Sequence, residues 1–177
     1  MINKAVIIPT GDEIMTGIVL DTDSPMIMQT LLAMNGRCII TRHEPVADIE
    51  NKISDTIKSF LGQNTDLIVL IGGSGGGHRY SSTLGKDFTH SSLESILHEK
   101  YSTELYGKNG HMWSKLICGR LEGAIIINVP GPYQEAKAAI EAFRKSYEEG
   151  EKDLKKINMS MTEAVKEQYS IKFNAQG

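Results

Sequence analysis

Basic clusters are missing from this chain, and that absence is the first constraint on its partners. Its 19 Lys and Arg residues face 22 Asp and Glu, for a formal net charge of -3 and a pI near 6.0. A nucleic-acid surface requires clustered positive charge, so this balance argues against one. Cysteine is scarce as well. Cys38 and Cys118 have apolar neighbours, and two thiols make no disulfide framework, which points to a reduced, cytoplasmic setting. No apolar run approaches the length of a membrane span. The run at residues 5–8 is too short for a signal peptide and reads as a first strand. The five histidines show no metal-ligand spacing, and HExxH and CxxC patterns are absent. No repeat divides the 177 residues, which fit one α/β domain over residues 1–149 and a charged extension over 150–177.

What remains is an alternation of strand-like and helix-like segments. Residues 5–8 form an apolar run that breaks at Pro9-Thr10-Gly11. Residues 24–35 carry Ile27, Leu31, Leu32 and Met34 at helical spacing, and residues 37–42 read as a second strand. Residues 48–61 place Ile49, Ile53, Ile57 and Phe60 on one helical face. Residues 67–71 are apolar throughout, as a strand buried on both faces is. A helix is expected over 91–101, a short extended piece over 115–117, a buried strand over 124–129 and an amphipathic helix over 134–147. The last of these would bury Ala138, Ile140, Ala142 and Phe143. The charged tail is expected to be a loosely attached helix or partly disordered. This βαβα order predicts a three-layer α/β/α fold with a mostly parallel sheet.

In such sheets ligands collect outside the carboxyl ends of the strands. The unusual polar clusters fall there: Thr10, Gly11, Asp12 and Glu13, then Asp21-Thr22-Asp23-Ser24, then His43-Glu44-Pro45 with Asp48, then Asn128 with Pro130 and Gly131. Gly72, Gly73, Ser74 and Gly75 follow the third strand and open a glycine-rich run that leads to Asp87 and Thr89. Backbone without Cβ atoms approaches an anion closely. Glycine N–H groups suit phosphate oxygens, and two carboxylates on neighbouring loops suit Mg²⁺ held between those oxygens. Each cluster also has a structural alternative. Asp48 and Asp87 sit where helix caps occur, Asp12-Glu13 can be turn carboxylates, and Pro130-Gly131 can simply end a strand. Trp113 reads as packing and the methionines as core filler. The glycine run lacks the lysine of a Walker A loop, and the first turn lacks the dinucleotide fingerprint.

Together these residues resemble the molybdopterin-binding domain shared by molybdenum-cofactor biosynthesis proteins and the N-terminal domain of CinA-type proteins. The resemblance runs from Lys4 to about Tyr147. It rests on Thr10-Gly11-Asp12-Glu13-Ile14 with Gly17 and Asp21-Thr22-Asp23-Ser24, on Val46-Ala47-Asp48, the Gly72-Gly73-Ser74-Gly75 turn with Asp87-Phe88-Thr89, Ser114-Lys115, and Asn128-Val129-Pro130-Gly131. The family's acidic residue follows its glycine turn by a few positions. Here residues 76–86 intervene, and Asp87 with Thr89 restores the Asp-x-Thr pattern. The resemblance implies a molybdopterin adenylyltransferase that uses Mg-ATP and releases pyrophosphate. It further implies that Asp48 and Asp87 are the catalytic and Mg²⁺-organising pair. Gly72, Gly73, Ser74 and Gly75 would bind phosphate, Ser114 would contact the pterin, and Pro130-Gly131 would shape the pocket wall. A homotrimer is implied too. Two other readings stand beside it: a non-catalytic pterin- or nucleotide-binding module, and a CinA-like nucleotide pyrophosphatase suggested by Gly11-Asp12-Glu13.

Overall fold

The computed structural model describes the backbone of residues 1–75 and 88–174, and side chains of that span as far as Tyr169. Its centre is a six-stranded sheet in the order β2-β1-β3-β6-β5-β4. The strands are β1 (Lys4–Pro9), β2 (Ile39–Arg42), β3 (Leu67–Ile71), β4 (Glu99–Tyr106), β5 (Met112–Leu121) and β6 (Ala124–Val129). β2, β1, β3 and β6 pair in parallel, and β5 runs antiparallel to both of its neighbours. The sheet is therefore mostly parallel, as expected.

The helices are α1 (Asp12–Met15), α2 (Asp23–Met34), α3 (Glu50–Phe60), α4 (Thr89–Ile96), α5 (Tyr133–Glu148) and α6 (Leu154–Asn174). Alternation along the strands divides the core. Ala5, Ile7, Leu67, Val69 and Ile127 meet α2, α5 and α6 on one face. Val6, Ile8, Ile68, Leu70 and Ile126 meet Ile53 and Ile57 of α3 and Leu93 of α4 on the other. Helices on both faces leave β1, β3 and β6 no wet side, which is why residues 5–9, 67–71 and 124–127 are continuously apolar. The chain steps from β1 to β2 in one direction and returns across β1 to β3. The carboxyl ends of β1 and β3 thus flank the topological switch point, where such sheets open a crevice.

Three expectations require correction. The helix expected over 91–101 stops with α4 at Ile96, and Glu99 begins β4. Tyr101 continues the helical spacing of Leu93 and Leu97, but it pairs with Cys118 in an antiparallel ladder. The short piece over 115–117 is the middle of the ten-residue strand β5. The tail, expected to be loosely attached, packs as α6: Leu154, Ile157, Met161 and Val165 are buried in the core. Its Asn158 side chain donates to Leu116 O at 2.9 Å and accepts from Thr103 Oγ1 at 2.5 Å, tying α6 across β5 and β4. On α5 the most deeply buried apolar positions are Ala136, Ala139, Ile140 and Phe143, with Ala138 and Ala142 half-buried.

Asn128, at the rim in the sequence reading, is a splint between strands. Its Oδ1 accepts from Ile117 N at 2.6 Å and its Nδ2 donates to Lys115 O at 2.8 Å. Both bonds lie just past Cys118 and Ile127, the last ladder pair of β5 and β6 toward this edge. Asn128→Leu would keep the volume while stranding the Ile117 N–H and the Lys115 carbonyl. The expected loss is about 2–4 kcal/mol by urea denaturation, and a loss below about 1 kcal/mol would contradict this role.

Candidate functional site

The site is assembled where β1 and β3 end. Thr10 extends β1 by one bridge: its N–H donates to Ile71 O at 2.8 Å, and it pairs with Val46 in the loop after β2. Its hydroxyl bonds Ile71 O at 2.9 Å and Thr89 Oγ1 at 2.8 Å, so β1, β3 and the start of α4 are locked together in the interior. The chain then turns through Gly72 (φ +86°) and Gly73 (φ +57°). Both angles are left-handed, where L side chains are strained. A Cβ on Gly72 would stand 2.9 Å from Thr10 O, and one on Gly73 would collide with Thr89 Oγ1. Ser74 closes the turn. Its hydroxyl accepts from Ser114 Oγ at 3.1 Å, and its carbonyl accepts from Lys115 N at 2.8 Å, which stitches the glycine turn to β5.

A cavity of about 1050 Å³ opens beside this turn. Thr10, Glu13, Gly72, Gly73, Ser74, Gly75, Pro130 and Gly131, all expected ligand-binding residues, line it. Gly11, Asp12, Asp48, Thr89 and Ser114 do not. Thr89 and Ser114 are buried behind the wall and hold Thr10 and Ser74 in place. Asp48 lies on the loop that docks along the end of β1, two residues before α3. Ile49, not Asp48, occupies the cap position, and no side chain caps that helix. Asp48 instead meets Asp12. Asp12 N approaches Asp48 Oδ2 at 3.4 Å, and Asp48 N approaches Asp12 Oδ1 at 3.3 Å. Asp87 lies outside the described residues.

The far wall comes from residues with no assigned role in the sequence reading. Trp113 of β5 and Tyr169 of α6 pack their rings at 4.5 Å between centroids, and Tyr169 donates its hydroxyl to Glu135 of α5. All three residues line the cavity, so Trp113 is more than packing. Burial and the Glu135 bond push the Tyr169 hydroxyl well above the ordinary phenol range. The remaining wall is acidic. Asp21 and Asp23 join Glu13 and Glu135, and neither Lys nor Arg is among the described residues that line the cavity. Arg42 lies just behind, donating to Asp21 Oδ2 at 2.7 Å and 3.0 Å. Burial raises the Asp21 carboxyl, but hydrogen bonds from Ser24 and Arg42, with the Arg42 charge, hold it below its usual value. Asp23 is pushed up to about 6 by burial and by the Asp21 charge, with a Thr22 hydrogen bond opposing. Among the described residues, no three His, Cys, Asp or Glu side chains group as a metal site.

A family model described as "probable molybdopterin binding domain" matches residues 6–148, most of the chain. The chain belongs to this family. No curated protein matches it in sequence. Solved structures of the same fold include the molybdopterin biosynthesis enzyme MoaB of Thermus thermophilus, at 19% identity and TM-score 0.64, covering 92% of this chain and 98% of that one. The molybdopterin biosynthesis Mog protein of Mycobacterium ulcerans gives 20% identity and TM-score 0.64, covering 84% and 96%. A CinA protein of unknown function from Thermoplasma acidophilum gives 16% and 0.63, covering 82% and 98%. At these identities the likeness concerns the fold alone.

In this molybdopterin-binding domain the family-model match ends before α6, yet α6 delivers Tyr169 to the cavity. Nothing in the charged tail marks that tyrosine. Glu135 carries a weak signal, since it is a carboxylate on the buried side of an amphipathic helix. Asp21 and Asp23 stand in a polar cluster that the sequence does single out. Among the described residues, no helix is long and apolar enough to cross a membrane.

Proposed function

We propose that the protein binds molybdopterin in the cavity beside Gly72, Gly73, Ser74 and Gly75 and adenylylates it with Mg-ATP. The observation that carries this reading is the glycine turn itself. Two left-handed glycines, pressed on Thr10 and Thr89 too closely for any Cβ, present bare backbone to a cavity of about 1050 Å³. That cavity is large enough for a drug-sized ligand. Its described lining offers a phosphate no Lys or Arg, so recognition would rest on backbone N–H groups and the N-terminus of α5.

In the reaction a phosphate oxygen of molybdopterin attacks the α-phosphorus of ATP. The bond to the β,γ-diphosphate breaks, and pyrophosphate leaves. The protein's part is placement: the turn holds phosphate, the Ser74–Ser114 pair fixes the turn against β5, and Thr10–Thr89 fixes it against β1. Asp12, which opens α1, and Asp48, on the loop before α3, are hard oxygen donors side by side, a set that fits Mg²⁺ when a triphosphate supplies the remaining oxygens. A bound Mg²⁺ would supply charge neutralisation on the triphosphate. We assign Asp87 the second acidic role from its Asp-x-Thr position, and a homotrimer as the assembly, to be checked by sedimentation.

Purified protein incubated with molybdopterin and Mg-ATP should yield adenylylated pterin and equimolar pyrophosphate, read by mass spectrometry. Asp48→Ala should lower turnover about 100-fold or more while the melting temperature barely moves. Pterin binding without turnover would replace this reading with a non-catalytic accessory module. Metal-dependent cleavage of ADP-ribose instead would favour a CinA-like pyrophosphatase.

A further inference from the structure

Asp23 is a buried carboxylate that the described residues satisfy only in part. It is 5% exposed, and its Oδ1 has no hydrogen-bond partner among the described residues. The usual tasks of an acid at a helix start are performed by its neighbour. Asp21 Oδ1 accepts from Ser24 N at 2.9 Å in the first turn of α2, and Asp21 Oδ2 takes both bonds from Arg42. The residue at the cap position itself, Thr22, makes no side-chain cap bond. Asp23 is left with a hydrogen bond from Thr22, with no cation paired to it among the described residues, and with the like charge of Asp21 close by. An arrangement of this kind costs stability unless something else uses the oxygen. Asp23 lines the same cavity as the Trp113–Tyr169 ring pair, a surface suited to a planar heterocycle.

We propose that Asp23 is the specificity-determining residue of this cavity, its carboxylate accepting from an N–H donor on the 2-amino-4-oxopyrimidine edge shared by pterins and guanine. This rests on the molybdopterin reading above and deepens it. Rotation about Cβ–Cγ is soft for Asp and brings the oxygen to the ligand edge. Only the ionised carboxylate accepts fully, so ligand binding favours the charged form. With the free carboxyl at about 6, affinity should rise about tenfold between pH 5 and pH 7.5. The other titratable groups on the cavity, among the described residues, are Asp21 (paired with Arg42), Glu13, Glu135, Tyr133, Tyr169 and His111. The Asp23 contribution is isolated by substitution.

The test is calorimetric titration of wild type and Asp23→Asn with 6-hydroxymethylpterin and, separately, GMP at pH 5, 6 and 7.5. The expected result is about tenfold weaker binding by Asp23→Asn at pH 7.5, because a neutral acceptor replaces a charged one, together with a flattened pH profile. Tighter binding of the pterin identifies that source of the edge, and tighter binding of GMP identifies guanine. Without ligand, Asp23→Asn should melt about 5 °C higher than wild type at pH 7.5. The sign follows from the raised carboxyl: wild type loses stability as pH rises from the unfolded value of 3.8 through the folded value of about 6, and the amide does not. Equal affinities with parallel pH profiles would overturn the proposal and leave the molybdopterin reading standing. If neither probe binds wild type, the proposal falls. The molybdopterin reading falls with it only if adenylyl transfer is also absent.

Discussion

A chain ending at Asp153, and so lacking α6, is expected not to fold. Leu154, Ile157, Met161 and Val165 are buried in the larger core cluster, on the face shared with Leu105, Leu116 and Cys118 of β4 and β5. Ordering entropy of α6 offsets part of what its own burial contributes. The surface beneath it has no such offset. Leu105 and Leu116 alone, returned to water, cost roughly 3–6 kcal/mol at the usual 1.5–3 kcal/mol per large apolar side chain. The Asn158 bond to the Leu116 carbonyl is lost as well. Together these reach a large share of the roughly 5–15 kcal/mol that holds a domain of this size. Circular dichroism during a thermal ramp should show no cooperative transition for the shortened chain. A sharp transition close to that of the full chain would mean that α6 is an accessory to the core.

Gly73→Ala is expected to damage both stability and ligand binding. At φ +57° an alanine costs about 1–2 kcal/mol from backbone strain alone. Its Cβ also collides with Thr89 Oγ1, a buried atom already bonded to Thr10, so the clash cannot be relieved by swinging a surface side chain. Overpacking of this kind adds about 1–3 kcal/mol. The combined loss of about 2–5 kcal/mol corresponds to a melting temperature roughly 4–20 °C lower. The turn that escapes the collision no longer faces the cavity as before, so affinity for a phosphorylated pterin should fall even where the protein remains folded. Adding Thr89→Ala to Gly73→Ala should return part of the stability, since the two changes share one contact. Native melting and unaltered binding in Gly73→Ala would remove the glycine turn from the argument.

Legibility in the sequence followed how much each segment depends on distant partners. Residues 67–71 and 124–129 are strands at the limits expected, because a strand covered on both faces is apolar almost throughout, Asn128 being the one polar residue among them. β4 was invisible for the opposite reason. It is an edge strand, most of its side chains face water, and its ladder with β5 decides its conformation over a helical spacing inherited from α4. The stripe Leu154, Ile157, Met161, Val165 repeats at helical intervals, yet charged neighbours dilute it, and only packing on β4, β5 and α5 makes it core. The site divides in the same way. Glycines advertise a left-handed turn by themselves, so Gly72 and Gly73 could be read directly. Asp48 could not be resolved between helix cap and metal-organising carboxylate, because its actual neighbour, Asp12, is distant in the sequence. Trp113, Glu135 and Tyr169 come from three separated segments, and nothing local to any of them signals a shared wall.

The double attachment of α6 has a kinetic consequence. Its early turns are anchored in the core through Val165, whereas Tyr169 nearer its end reaches the cavity through Trp113 and Glu135. Amide protons in the early turns should exchange with solvent only when the whole domain opens, while those of the final turns should exchange through a smaller, local opening. A molecule seated against Trp113 and Tyr169 would slow exchange in the final turns and leave the early ones unchanged. The end of this helix would thereby report occupancy of a site that lies far from it in the chain.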